Sequence, residues 1–152
     1  MDNDLHAAIA ARLRRMGQRY TAGRRALVEA IIRADRPLTT AELIAGPASL
    51  PQSTTYRNLA VLEQAGVVYR VRGSDEFARF ELSEELGGHH HHLVCVSCGG
   101  IEDFTPSSRF EKSLIDLASS ATTSSGFHVQ THRLDLLGTC ATCTEPSTQS
   151  SS

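Results

Sequence analysis

Apolar residues recur at helical spacing through the first third of the chain. Leu5, Ile9, Leu13 and Met16 stand at i, i+4, i+8 and i+11, which predicts a first helix over 4–16, ended by Gly17. Thr21 is placed to cap a second helix over 22–34, with Leu27, Val28, Ile31 and Ile32 inward, and Pro37 closes that segment. Thr39 or Thr40 caps a short third helix carrying Ala41, Leu43 and Ile44. After Gly46-Pro47, Ser53 opens a fourth helix through about Ala65, with Tyr56, Leu59 and Leu62 at helical spacing and Gly66 as its stop. The period then changes. Val67–Val71 and Phe77–Leu82 are β-rich and joined by the turn Arg72-Gly73-Ser74-Asp75. Helices followed by a two-stranded hairpin are the layout of a winged helix-turn-helix.

Beyond Leu82 the pattern thins. Ser83–Gly88 reads as a linker, and His92–Val96 and Ile101–Phe104 as short strands flanking the turn Cys98-Gly99-Gly100. Residues 107–119 suit a helix with Phe110, Leu114, Leu117 and Ala118 on one side. Thr122–Gly126 reads as a loop and Phe127–Leu137 as the longest strand. The expected class is α+β: an N-terminal winged helix-turn-helix domain over 1–82, a linker over 83–88 and a small C-terminal α/β domain over 89–143. The Ser/Thr-rich tail, 144–152, is expected to be disordered.

Composition changes this picture once the chain is divided. The net charge of −2 over 152 residues is uninformative as an average. Residues 1–79 carry 12 Arg against 8 Asp and Glu, whereas residues 80–152 carry 3 Lys and Arg against 9 Asp and Glu, together with six of the seven His and all four Cys. A basic half suggests nucleic acid as its partner; an acidic, His/Cys-rich half suggests metal. No window approaches the roughly 18–20 apolar residues of a membrane span, and no apolar signal core is visible. A cytoplasmic protein without a membrane partner is the expectation.

In the basic half, the fourth helix begins Ser53-Thr54-Thr55-Tyr56-Arg57-Asn58. Hydroxyls and a helix N-terminus position phosphates, and an Arg reaches a phosphate or a guanine edge, so Thr54, Thr55, Tyr56 and Arg57 are candidate DNA contacts. Tyr56 is equally suited to the helical core. Arg19, with Arg14, Arg15, Arg24 and Arg25, is placed to track the phosphate backbone.

In the acidic half, Cys95-x-x-Cys98 and Cys140-x-x-Cys143 offer four thiolates, the number a tetrahedral structural Zn²⁺ takes. The run His89-His90-His91-His92 alternates in an extended segment, so His90 and His92 face one way and His89 and His91 the other. One run can thereby serve two sites. Glu81 and Asp103 are candidates to complete one, and Glu111 and His132 the other, with His128 and Glu102 in reserve. Such N/O sets suit Fe²⁺, Mn²⁺, Zn²⁺ or Co²⁺ alike.

Taken together these residues resemble the ferric uptake regulator superfamily of metal-dependent bacterial repressors, over about Leu13 to Cys143. The matching blocks are Gly17-x-Arg19-x-Thr21-x-x-Arg24, Thr54-Thr55-Tyr56-Arg57-Asn58-Leu59, Arg79-Phe80-Glu81-Leu82, the run from His89 to Gly99, Ile101-Glu102-Asp103-Phe104, and the stretch from His132 to Cys143. The resemblance implies a homodimer whose C-terminal half dimerises and whose winged helix binds a palindromic operator when corepressor metal is bound. It implies a regulatory site of Glu81, His90, His92 and Asp103 for Zn²⁺ or Fe²⁺, with Mn²⁺ also suited. A second site of His89, His91, Glu111 and His132 follows likewise, and structural Zn²⁺ on the four Cys. Many members carry a His between the second and third helices that completes the regulatory site; here Arg33–Thr39 has none. Either Glu81 is the only ligand from that half, or water or another residue fills the position. His91, where many iron sensors have Asp, tilts the set toward zinc. Two other classes are weighed against a repressor: an intracellular metal carrier, and a metal-dependent hydrolase, for which the chain offers no His-Glu-x-x-His motif. No small organic substrate is expected.

Overall fold

The computed structural model describes residues 2–145. Four helices come first, α1 (Asp2–Arg15), α2 (Ala22–Ala34), α3 (Thr40–Ala45) and α4 (Gln52–Gln64), with the two-residue strand β1 (Leu38–Thr39) between α2 and α3. The hairpin strands β2 (Val68–Arg72) and β3 (Ala78–Leu82) follow, and β1 adds to β3, giving an antiparallel sheet of order β1-β3-β2. The expected two-stranded hairpin is therefore three-stranded. Local chemistry explains the helix starts. Thr21 Oγ1 accepts from the Arg24 N–H, and Thr39 and Glu42 form a reciprocal capping box at α3. Pro51, not Ser53, stands before α4; its fixed φ of −55° starts the helix without a side-chain cap.

One hydrophobic core joins these elements. Ile9, Leu13, Leu27, Val28, Leu43, Leu59 and Leu62 are at most 2% exposed, and Phe80 and Val68 close the core from the sheet. Met16 and Ile32, expected inward, lie at the edge of their stripes and stay exposed.

The second unit is smaller. After the helical turn α5 (Glu84–Gly87), which occupies the expected linker, come β4 (His91–Cys95), β5 (Ile101–Phe104), α6 (Ser108–Ser125), β6 (Asp135–Gly138) and α7 (Ala141–Thr144). Its sheet has the order β5-β4-β6, with β4–β5 antiparallel and β4–β6 parallel. Two expectations are corrected here. The strand over Phe127–Leu137 shrinks to Asp135–Gly138, because β4, its partner, begins only at His91 and nothing upstream remains to pair with. The loop over Thr122–Gly126 is helix to Ser125: Thr122, Thr123 and Ser125 donate their hydroxyls to the carbonyls four residues back, and Gly126 ends the helix at φ 71°. The expected disordered tail lies outside the described residues from 146 on, and Thr144 closes α7.

The two units touch through the hairpin. Tyr69 and Val71 of β2 pack on Val94 and Ile101, and Ser74 donates to the Cys95 carbonyl at 2.8 Å. Gly73 approaches so closely that a Cβ there would come within 2.9 Å of the Gly99 carbonyl.

Candidate metal centres and nucleic-acid interface

The parallel pairing of β4 with β6 sets Cys95 beside Gly138 and so brings the two Cys-x-x-Cys turns together. All four thiols are free and their sulfurs lie within 4.8 Å of one another. The Cys140 N–H donates to Cys95 Sγ at 3.3 Å and the Gly100 N–H to Cys98 Sγ at 3.4 Å. Backbone N–H groups of Cys140 and Cys98 lower the Cys95 thiol to about 6, whereas hydrogen bonding with Cys140 and Cys98 pushes Cys143 up to about 12. Four sulfurs this close cannot all ionise alone. A divalent cation resolves the conflict, and the donor set is that of a closed zinc site.

The His run divides as its alternation requires. Glu81, 3% exposed near the end of β3, meets His90, His92 and Asp103. His90 Nε2 and His92 Nε2 each lie 3.0 Å from a Glu81 oxygen, and Asp103 Oδ1 lies 3.7 and 3.9 Å from the same two nitrogens. Both rings are held from behind. His90 donates from Nδ1 to the Gly88 carbonyl at 3.0 Å, and His92 Nδ1 faces Asp135 Oδ1 at 3.4 Å, itself gripped by Arg133. This bracing turns both Nε2 atoms toward the carboxylates, as a metal-ligating His requires. Asp103 Oδ1 is buried and lacks a hydrogen-bond partner among the described residues. Burial opposes the charge on Glu81, but hydrogen bonds with His92, Tyr69 and His90 outweigh it and hold the carboxyl below its ordinary value. Burial instead pushes Asp103 up. An orphaned carboxylate oxygen aimed at two oriented imidazoles fits a divalent ion. Metal–ligand bonds of about 2.0–2.3 Å need donors within roughly 4.6 Å of each other, so a small side-chain rotation suffices.

The second group draws on three elements. His91, 2% exposed in β4, bonds Glu111 of the first turn of α6. His132 Nε2 stands 3.2 Å from the same carboxylate and 3.1 Å from His89 Nε2. His89 is braced at Nδ1 by Glu84 of α5, 3.1 Å away. Two facing imidazole nitrogens and a carboxylate again suit a cation. The reserve candidates fall away: His128 and Glu102 are exposed and belong to neither group.

Of the candidate DNA contacts on α4, Tyr56 is 53% exposed, which decides against the core, and Arg57 is exposed while Thr54 is half-buried; Arg19, between α1 and α2, is exposed as well. Thr55 is a correction. It is fully buried and donates its hydroxyl to the Pro51 carbonyl at 3.1 Å, so it packs the helix start and is closed to DNA. Arg24 is also committed internally, to Asn58 and the Arg19 carbonyl. Sequence reasoning missed Asp135 and Glu84 as braces. No spacing in the sequence marks the first; the β4–β6 register alone places it against His92.

A winged helix with exposed guanidinium groups, joined to a unit carrying three potential metal centres, defines the class of metal-dependent DNA-binding regulators. Residues 15–137 match the ferric uptake regulator family. The ferric uptake regulation protein of Bordetella parapertussis is 32% identical over 136 residues, covering 86% of this chain and 93% of that protein. The namesake from Cupriavidus metallidurans is 40% identical over 88 residues, 58% of this chain and 57% of the relative. Among solved structures, the Helicobacter pylori ferric uptake regulator superposes with a TM-score of 0.73 over 95% of both chains at 19% identity, a likeness of fold. The chain belongs to the ferric uptake regulator family. It is a metal-responsive transcriptional regulator and not an enzyme, which sets aside the carrier and hydrolase readings.

Proposed function

We propose that the chain is a repressor whose regulatory divalent metal, Zn²⁺, Fe²⁺ or Mn²⁺, is held by Glu81, His90, His92 and Asp103. The single observation carrying this is the origin of the four ligands. Glu81 ends the hairpin of the DNA-binding unit, 1–82, whereas the other three belong to the metal-binding unit, 89–143, across the 83–88 connection. When bound there, a divalent cation supplies Lewis-acid attraction that draws Glu81 and the imidazoles together. Glu81 then fixes the angle between the units, and a closed arrangement is favoured only by as much as the site binds it better than the open one, typically about 1–3 kcal/mol. Cys95, Cys98, Cys140 and Cys143 hold structural Zn²⁺, and His89, His91, Glu111 and His132 form a second site.

The partner is a palindromic operator, read by a homodimer in the cytoplasm. Members of this family act as DNA-binding dimers. Phe110 and Leu117, seven residues apart on one side of α6, and Leu137 of β6 are 43–70% exposed, apolar surface that suits a second copy. Arg57, Tyr56, Thr54 and Arg19 approach the DNA, with Arg57 at the bases and Arg19 on phosphate. The test is selection of duplexes from a random pool in the presence of Mn²⁺ or Fe²⁺. Palindromic winners whose binding falls about tenfold or more on chelation are expected; recovery of no palindrome, or binding indifferent to chelation, refutes the reading.

A further inference from the structure

The second metal group draws all four of its ligands, His89, His91, Glu111 and His132, from the metal-binding unit. By those ligands alone it has no hold on the DNA-binding unit. Glu84 supplies one. Its carboxylate lies 3.1 Å from His89 Nδ1, across the ring from the Nε2 atom that stands 3.1 Å from His132 Nε2 and 3.6 Å from Glu111 Oε2.

Glu84 stands on α5, and α5 is fastened to the first unit. The Ser83 N–H, just before the turn, donates to the Val67 carbonyl at 3.0 Å, and Leu86 packs on the core of the first unit. Arg12 of α1 donates to the Gly66 carbonyl at 2.6 Å and also bonds the Glu85 carboxylate. The chain leaves α5 only at Gly88, where φ 87° and ψ 159° are open essentially to glycine and a Cβ would meet nothing within 4 Å. The DNA-binding unit thus extends in effect to Gly87, and Glu84 reaches past Gly88 to the first residue of the His run.

We propose that Glu84 is a positioning residue for the second site and that it couples a cation bound there to the DNA-binding unit across Gly88. This rests on the second-site reading above. Ligation through His89 Nε2 puts the ring's proton on Nδ1, where the Glu84 carboxylate is placed to accept it. The Glu84–His89 pair is partly exposed and weak by itself, but a divalent charge on the far side of the ring polarises the N–H and makes the hydrogen bond charge-assisted. Cation and contact therefore strengthen each other. The coupling is reciprocal, so holding α5 against the His run favours the cation by the same factor. The second site thereby gains a part in setting the angle between the units, separate from the tie through Glu81.

The experiment uses the full chain with Zn²⁺ at its cysteines and carries His90→Ala throughout, which silences the regulatory site. Co²⁺ is titrated by its visible ligand-field bands, the second site being the component that a further His132→Ala abolishes. Hydrogen exchange over 84–88 is then followed with and without Co²⁺. In His90→Ala the metal is expected to slow that exchange about tenfold. Adding Glu84→Ala is expected to weaken Co²⁺ binding about tenfold or more and to erase the slowing, whereas Glu84→Gln, which keeps an acceptor oxygen, retains part of both. A merely structural role would speed exchange over 84–88 with and without metal alike and leave the metal-dependent difference intact. Unaltered affinity in Glu84→Ala, or a metal-dependent slowing that survives it, overturns the role of Glu84 and leaves the site standing. If His132→Ala abolishes no component, the second site itself falls, and the coupling with it.

Discussion

The two units of the chain solve the folding problem by different means. In the first, every helix contributes side chains to one apolar core, and seven of them are at most 2% exposed. In the second, no residue of the 18-residue α6 is fully buried, and the apolar cluster reduces to Val94 and Ile101 joined by Val71 from the hairpin. Its other buried side chains include His91, His92 and Cys95. Burying apolar surface requires only complementary shape, at roughly 25 cal/mol per Å². Burying imidazoles and thiolates requires a counter-charge. The first unit is thus stable by its own sequence, and the second depends on what it binds.

The sharpest way to break this comparison is to remove the counter-charge. Cys98→Ser, or stripping the cysteine site with a chelator, is expected to abolish hydrogen-exchange protection across 89–145 while leaving protection in α2 and α4. The binding energy of a structural zinc, about 10–16 kcal/mol in small domains, exceeds anything the thin apolar cluster supplies. Leu59→Ala is the complementary cut: a cost of about 2–5 kcal/mol in urea denaturation, confined to the first unit and without loss of bound zinc.

Smaller effects lie at the junction. Arg79, its side chain 7% exposed, pairs with Asp75, 24% exposed, at 2.7 and 2.8 Å. Asp75→Asn leaves that guanidinium without its charge partner and is expected to cost about 2 kcal/mol, between the ranges for surface and buried pairs. Arg79 holds the Asp75 carboxyl below its ordinary value. The stabilisation is therefore present above the unfolded carboxylate range, near pH 4, and is lost as pH falls through the lowered folded value. The difference between wild type and Asp75→Asn in urea midpoint should shrink in acid. Smallest is the outer face: Leu137→Glu is expected to weaken self-association about tenfold, or 1.4 kcal/mol, read by sedimentation.

Local signals in the sequence were sufficient where the chemistry is local. The Thr21 cap and the apolar positions of α2 place that helix at 22–34, and the two Cys-x-x-Cys pairs and the alternating His run define three ligand groups that the fold brings together. What escaped is set by partners distant in the chain. A strand over Phe127–Leu137 reads well by composition but has nothing to pair with before Asp135. Strand β1 is two residues whose pairing with Phe80 and Arg79 no periodicity reveals. Thr55 looks like its neighbours in the polar start of α4, and only three-dimensional packing turns it inward. Glu84 and Asp135 carry no motif; tertiary structure alone sets them beside the His run.

The central claim is that Glu81 joins the DNA-binding unit to a regulatory metal and so couples metal to DNA. It is tested most directly by fluorescence anisotropy on a selected duplex, titrated with Mn²⁺ for wild type and for Glu81→Ala, both retaining zinc at the cysteines. The expected result is a metal-dependent gain of about tenfold or more in wild type, on the scale of couplings of 1–3 kcal/mol, and little or none in Glu81→Ala. An equal gain in both proteins contradicts the account.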